Sequence, residues 1–301
     1  VIVERAGRRR RRWLRDLEGV PFLVPSFIGF AVFVLLPVVV ALVLSFTNWN
    51  LVTAPRWVGL GNYAQILTQD TLFRQVFRNT ALFALGTVPA RVVLSLLIAV
   101  LLNQAVRGIA IFRTAYFMPV VAPVVASALV WTWILNTNFG LLNYLLYRLG
   151  VHGQPAWLTS TSLALPAIMI FSVWKNVGFT AIIYLAGLQS IPRELYEAAA
   201  TDGAGWWGKF RHVTVPMVSP TTFFVLVLSI IFAFQVFEES FVMTKGGPAN
   251  ATNTIVYYIY QVAFQYSRMG RAAALAWILF LVLIVLTVFQ WLAQRYWVHY
   301  E

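Results

Sequence analysis

Few residues in this chain can do chemistry, and most of their patterns fail on spacing. Gly203, Gly208 and Lys209 fit G-x(4)-G-K, the opening of a phosphate-binding loop. Phe210 stands where a Ser or Thr must hold magnesium, and the segment follows a helix-favouring run where a strand is required. Nucleotide binding by this chain is therefore not expected. His152, His212 and His299 are scattered, without the H-E-x-x-H or carboxylate spacing of a metal site, so no metal centre is expected. Glu238 and Glu239 are adjacent and point in different directions on a helix, a poor acid–base pair. The absence of cysteine excludes disulfides, thiolate ligation and a cysteine nucleophile. No enzyme chemistry is expected.

A second set of residues suits recognition rather than catalysis. Trp174, Lys175 and Asn176 stand together and are followed by Gly178, while Phe234 and Gln235 precede Glu238 by about one helical turn. Polar groups beside an aromatic plane are what a sugar site uses: hydroxyls take directed hydrogen bonds and the apolar ring face lies on the aromatic. These six residues are candidates for lining a solute pathway. Plainer readings stand beside this one. Lys175 can bridge helices or attract an anionic solute such as a phosphorylated polyol, Arg91 can snorkel or pair internally, and Glu238 and Glu239 can be solvated at a surface.

The elements that hold these residues follow from composition. Of 301 residues 60% are hydrophobic and 11% charged, with a mean hydropathy of +0.76. So few charges cannot cover a soluble domain, and the solvent for much of the chain is lipid. Six segments approach the roughly 20 residues needed to cross a bilayer, at about 22–46, 79–103, 114–135, 163–188, 218–240 and 272–296. The first exceeds the roughly 7–15 residues of a signal-peptide core and lacks a small-residue cleavage site, so it reads as a membrane helix. Prolines at 25, 37, 89, 119 and 123 predict kinks. An all-α integral membrane protein with one domain over 1–301 is expected.

Charge sets the orientation. Seven of the 22 Lys and Arg lie in the first fifteen positions, where they read as a topology signal and a contact for anionic lipid rather than a nucleic-acid arm. With the N-terminus inside, thirteen fall on the cytoplasmic side (Arg5, Arg8 to Arg12, Arg15, Arg107, Arg113, Arg193, Lys209, Arg211, Arg295). Seven fall outside: Arg56, Arg74, Arg78, Arg148, Lys245, Arg268 and Arg271. Both termini and the loop over 189–217 are then cytoplasmic.

That loop is polar and punctuated by glycine. Pro192 suits a first helical turn, Glu194 and Glu197 face its positive end, and Gly203 and Gly205 stop a helix expected over Arg193 to Asp202. Ten residues span about 15 Å and are marginal alone, so this helix needs something to pack on. Leu195, Ala198, Ala199 and Asp202 fall at i, i+3, i+4 and i+7, a face with small side chains at its centre. It suits insertion into a partner's groove or rest against this chain's own helix ends.

The spacing of the same loop carries a resemblance. Glu197-Ala198-Ala199, three residues, Gly203, nine residues, Val213, one residue and Val215-Pro216 resemble the EAA loop of permease subunits of bacterial ATP-binding-cassette importers. Val215 stands where that family often has Leu or Ile. Trp57 to Tyr63 resemble the family's VGLxNY pattern, although interface anchoring and a glycine turn account for them physically. Phe77 to Thr80, Arg113 to Pro123, Trp131 with Trp133, and Thr244 to Pro248 continue the likeness over nearly the whole chain.

The resemblance implies a six-helix type I importer permease with a cytoplasmic coupling helix, in the carbohydrate-uptake branch that includes maltose and glycerol-3-phosphate systems. Leu195, Glu197, Ala198, Ala199, Asp202 and Gly203 would dock an ATPase, with Glu197 paired to a basic residue and Gly203 allowing the turn. The implied partners are a second permease subunit, two copies of the ATPase, which would carry ATP and magnesium, and an extracytoplasmic substrate-binding protein. No cofactor would be bound by this chain. The setting implied is the bacterial plasma (inner) membrane, with multiple passes. The competing class is a secondary transporter driven by an ion gradient, which would need coupling carboxylates near the midplane; no Asp or Glu lies mid-segment.

Overall fold

The computed structural model describes residues 20–104 and 107–299. The arginine run at 8–12, with Arg5 and Arg15, lies outside the described residues. Two compact units divide the chain: one runs up to Ala64 and adds Val262–Trp277, and the other holds Gln65–Gln261 and continues from Ile278.

In the first unit, α1 (Val20–Phe30), a π-helical turn (Ala31–Leu35) and α2 (Leu36–Ser45) make one apolar rod. The wide turn sits immediately before the Leu36-Pro37 pair, and the Leu36 N–H reaches back to the Ala31 carbonyl. Proline cannot donate and crowds the carbonyl four residues back, so the extra residue in the turn absorbs the clash. From Phe22 to Val40 no side chain is buried, a surface suited to lipid.

The rod ends in a set of directed bonds. Thr47 Oγ1 donates to the Leu44 carbonyl (2.8 Å), and a short ladder pairs β1 (Thr47–Asn48) antiparallel with β2 (Arg56–Trp57). Gly59, at φ +56°, turns the chain into α3 (Gly61–Thr68). Asn62 then spends both amide hydrogens, on the carbonyls of Ser45 (2.8 Å) and Thr47 (2.9 Å), and the Tyr63 hydroxyl donates to Ser45 Oγ (2.7 Å). Phe46 stacks on Trp57 with centroids 5.6 Å apart.

The second unit is built on α4 (Thr71–Leu102), which begins eight residues before the span expected at 79–103. The reason is its cap: Asp70 accepts the Phe73 N–H at 2.9 Å, and its other oxygen accepts the Tyr258 hydroxyl at 2.7 Å. The segment expected as one span at 114–135 is two helices, α5 (Ile109–Val121) and α6 (Val124–Ile134), bent by 96° at Ala122-Pro123. After α7 (Leu141–Arg148) come α8 (Ala164–Gln189), α9 (Arg193–Thr201), α10 (Trp206–Lys209), a second π-helical turn (Phe210–Thr214), and α11 (Val215–Met217). The second π turn again immediately precedes an X-Pro pair, Val215-Pro216. Then follow α12 (Ser219–Phe234), α13 (Glu238–Met243) and α14 (Ile255–Tyr260); after a third π-helical turn (Gln261–Gln265) comes α15 (Met269–Gln294), of which the part from Ile278 belongs to this unit.

Helices α4 and α8 form the spine of this unit. Phe83, Ile168 and Phe171 are fully buried, and Gly86 lies so close to Met169 that a side chain there would displace its sulfur. Ala99, Tyr184, Leu185, Leu188, Ile191, Val218 and Val225 close a second cluster that ties α4 and α8 to α12. Among the described residues five helices are long and apolar enough to cross a membrane, and six if the bent pair counts as one.

The double amide bond of Asn62 predicts the outcome of its removal. Asn62→Ala leaves two carbonyls short of a donor and should destabilise the protein by about 1–3 kcal/mol. Asn50→Ala, which removes bonds on the exposed β1–β2 turn, should be nearly neutral. Thermal melts of the detergent-purified chain would check the contrast.

Candidate functional site

The polar loop is shaped by its ends. Pro192, extended at ψ 135°, opens α9, and Glu194 lies in the first turn. At the other end Gly203 adopts φ +80°, which favours glycine, donates to the Ala200 carbonyl (3.0 Å), and lets Ala204 donate to Ala199 (2.9 Å). This pair of bonds is a Schellman closure, so the helix stops at Thr201 with its last carbonyls satisfied.

The helix turns one side to its own chain. Tyr196 is half-buried, and its hydroxyl lies 3.0 Å from Thr214 Oγ1 in the second π turn. Ala199 is also half-buried, whereas Leu195, Glu197, Ala198, Asp202 and Gly203 are exposed. The face drawn from the heptad positions therefore splits, with Ala199 turned toward the side that holds the helix in place. Gly203 to Gly205 link α9 to α10, which holds Trp206 to Lys209, and no strand precedes them. Trp206, Trp207 and Phe210 stack beside the loop and leave both tryptophans exposed.

The second group of residues lies inside the helices. Lys175 is buried, and its ammonium donates to the carbonyls of Pro119, Val120 (3.2 Å) and Ala122 (2.6 Å). The cause is in the sequence of the bend. Pro123 has no N–H, so the Pro119 carbonyl has no donor four residues on, and the break removes the partners of the next carbonyls as well. A lysine with three donors replaces them. Gly178, one turn further along α8, makes the approach possible, since a Cβ there would overlap the Tyr116 carbonyl.

Around this ammonium are two further buried charges. Glu239 on α13 is 8% exposed and accepts a hydrogen bond from Ser172 Oγ at 3.2 Å. Arg91 on α4 is 4% exposed, and both Arg91 and Lys175 act electrostatically on Glu239. The reading of Glu238 and Glu239 as a solvated pair thus needs correction for one of them: Glu238 is exposed and Glu239 is inside. Adjacent residues on a helix point about 100° apart, and that was the available signal. Ser172, which holds Glu239, had none.

The remaining candidates are distributed as follows. Trp174 is partly exposed and packs on Trp131 (5.3 Å between centroids), and Asn176 donates to the Ser172 carbonyl at 2.9 Å. Phe234 is buried and ends α12, whereas Gln235 is exposed in the break before α13. His152 packs against Tyr147, His212 Nδ1 lies 3.1 Å from the Gly208 carbonyl, and the His299 N–H donates to Ser219 Oγ. Among the described residues no three His, Asp or Glu side chains gather as a metal site.

Apolar spans with a buried polar cluster inside, and one polar helix hung from the end of α8, define a membrane permease. The chain belongs to the family described as "Binding-protein-dependent transport system inner membrane component", whose model matches residues 91–298. The probable ABC transporter permease YesP of Bacillus subtilis (strain 168) is 38% identical over 289 residues, 95% of this chain and 93% of that protein. The lactose transport system permease LacF of Rhizobium radiobacter is 35% identical over 286 residues, 93% and 95% of the two chains. The fold matches a chain in the crystal structure of a bacterial alginate ABC transporter in complex with alginate pentasaccharide-bound periplasmic protein, at TM-score 0.82, 24% identity and 95% coverage of both chains. The protein is therefore a transport subunit of an ABC importer and not an enzyme, which sets aside the ion-gradient alternative.

The capping role of Lys175 predicts an asymmetry between substitutions. Lys175→Met takes the donors from the carbonyls of Pro119, Val120 and Ala122 and removes one of the two cations that act on Glu239, and should cost about 3 kcal/mol or more. Glu239→Gln keeps an acceptor for Ser172 and should cost less. Melting of the two variants in one detergent would measure the order.

Proposed function

We propose that this chain forms half of the translocation pathway for a sugar in a bacterial plasma membrane, and that α9 couples it to a separate ATPase. The observation that carries the reading is the exposed face of α9. Leu195, Glu197, Ala198 and Asp202 stand free on a helix whose other side is fixed through Tyr196 and whose end is closed by Gly203. A helix held in this way presents small side chains for insertion into a groove. The chain reads as one permease domain, with both termini and α9 cytoplasmic.

The assembly proposed has a second permease subunit beside this one, two ATPase copies that carry ATP and magnesium on the side of α9, and a substrate-binding protein on the other side. ATP-driven approach of the ATPases would draw the docking helices together and open the outer side; hydrolysis would reset it. Relatives named for lactose and for sn-glycerol-3-phosphate support a sugar or polyol as solute. Trp174, Asn176, Phe234, Gln235 and Glu238 are proposed to line the route. Lys175 is already engaged by three carbonyls, which favours an uncharged sugar over a phosphorylated polyol.

Reconstitution with the partners encoded beside it tests this reading. Uptake should require ATP, and Ala198→Glu should reduce both co-purifying ATPase and uptake about tenfold or more, with Glu197→Ala acting in the same direction. Uptake without ATP, or coupled uptake with both substitutions in place, would refute it.

A further inference from the structure

The segment that joins α6 to α8, at the end of α8 opposite α9, encloses a cavity of about 470 Å³, within the roughly 300–1,000 Å³ that small-molecule sites occupy. Trp133 of α6, Phe139, and Tyr144 and Tyr147 of α7 supply aromatic faces, and Asn138 and Gln154 supply amides. The two tyrosines are three residues apart and share one face of α7. Trp131 and Trp133 are two apart, about 200° around the helix. Trp131 packs on Trp174, and Trp133 turns to the cavity. The cavity is thus on the other side of α6 from the route proposed through Trp174.

Its frame is fixed by bonds within the segment. The Asn136 side chain accepts the N–H groups of Asn138 (3.0 Å) and Phe139 (3.3 Å). Its carbonyl accepts the Gly140 N–H (3.0 Å), and a Cβ on Gly140 would come within 2.2 Å of that oxygen. Buried Asn143 donates to the carbonyls of Thr137 (2.9 Å) and Pro155 (3.2 Å) and accepts the Trp157 Nε1–H (2.7 Å), which fastens the two ends of the rim together. A wall built in advance lowers the ordering cost of binding.

The groups left over are of one chemical kind. The side-chain amides of Asn138 and Gln154 and the hydroxyls of Tyr144 and Tyr147 make no hydrogen bond with another described residue. No lining residue carries a charge at neutral pH, in a chain of net charge +12. An ion placed here would lose water without gaining a counter-charge. A neutral polyhydroxylated ring meets both sets of groups: its C–H face lies on an aromatic plane, and its hydroxyls donate and accept as the amides do. Anchoring at the membrane interface would use the rings but leave the amides without a purpose.

We infer that this cavity binds a neutral sugar unit, stacked on Tyr144 and hydrogen-bonded by Asn138 and Gln154. The site is separate from the proposed route and does not rest on the importer reading.

Saturation-transfer NMR on the full-length chain in lipid nanodiscs, with whatever partners co-purify and without ATP, tests it. Lactose and methyl glucoside should receive saturation and glucuronate should not. Tyr144→Leu and Gln154→Leu, both at exposed positions, should each weaken lactose binding about tenfold while the melting temperature stays the same. Nanodiscs that contain monoglucosyl diacylglycerol separate the two sources of such a sugar: competition with lactose would assign the site to a lipid-borne unit as well as a soluble one. Equal signals from lactose and glucuronate would overturn the inference. So would lactose signals that both variants leave unaltered, because the sugar would then sit elsewhere on the protein, and so would the absence of any sugar signal from the wild type.

Discussion

Hydrocarbon offers no hydrogen bonds, so any backbone group released by a break in a helix must find its partner within the protein. The contact between Lys175 and the carbonyls at 119–122 is where this constraint is met most directly. Two prolines four residues apart open α5 from α6, and a lysine from a neighbouring helix closes the account with three donors. That solution brings a charge inside, and the charge brings others. Glu239 and Arg91 lie within electrostatic reach, Ser172 holds the carboxylate, and the small residue Gly178 permits the helices to meet. The interior polarity of this permease is therefore in part a consequence of where its helix is broken.

The same rule governs the first two of the three π-helical turns among the described residues; the third, Gln261–Gln265, has no proline after it. Those two stand directly before an X-Pro pair, at Leu36-Pro37 and at Val215-Pro216, and keep the helix continuous where an ordinary turn would clash. Breaks are thus of two kinds here. A wide turn preserves the axis of the helix, whereas the bend at Ala122-Pro123 redirects it by 96° and needs help from outside.

Local signals made much of this legible in the sequence. The long apolar runs, the proline positions, and the glycine that stops α9 are properties of short stretches, and α9 lies within one residue of its expected end. What was not legible depends on contacts between distant segments. Lys175 shows as an ionisable residue in an apolar run, but nothing near it says that it caps carbonyls more than fifty residues earlier. Glu239 shows as one of a pair, and only packing against Ser172 separates it from Glu238. The division of the α9 face is of the same kind, since Ala199 turns inward because Tyr196 is held by Thr214. The cap at Asp70, which lengthens α4, likewise draws on Tyr258 far along the chain.

The hydroxyl contact between Tyr196 and Thr214 has a mechanical consequence. It joins the first half of the coupling loop to the turn that leads into α12, while Tyr196, Val213 and Met217 pack against the Leu188–Val218 cluster at the ends of α8 and α12. The loop is thereby a triangulated strut rather than a tether. A load applied to α9 would reach two spans at once, through Tyr196 to α8 and through Thr214 to α12.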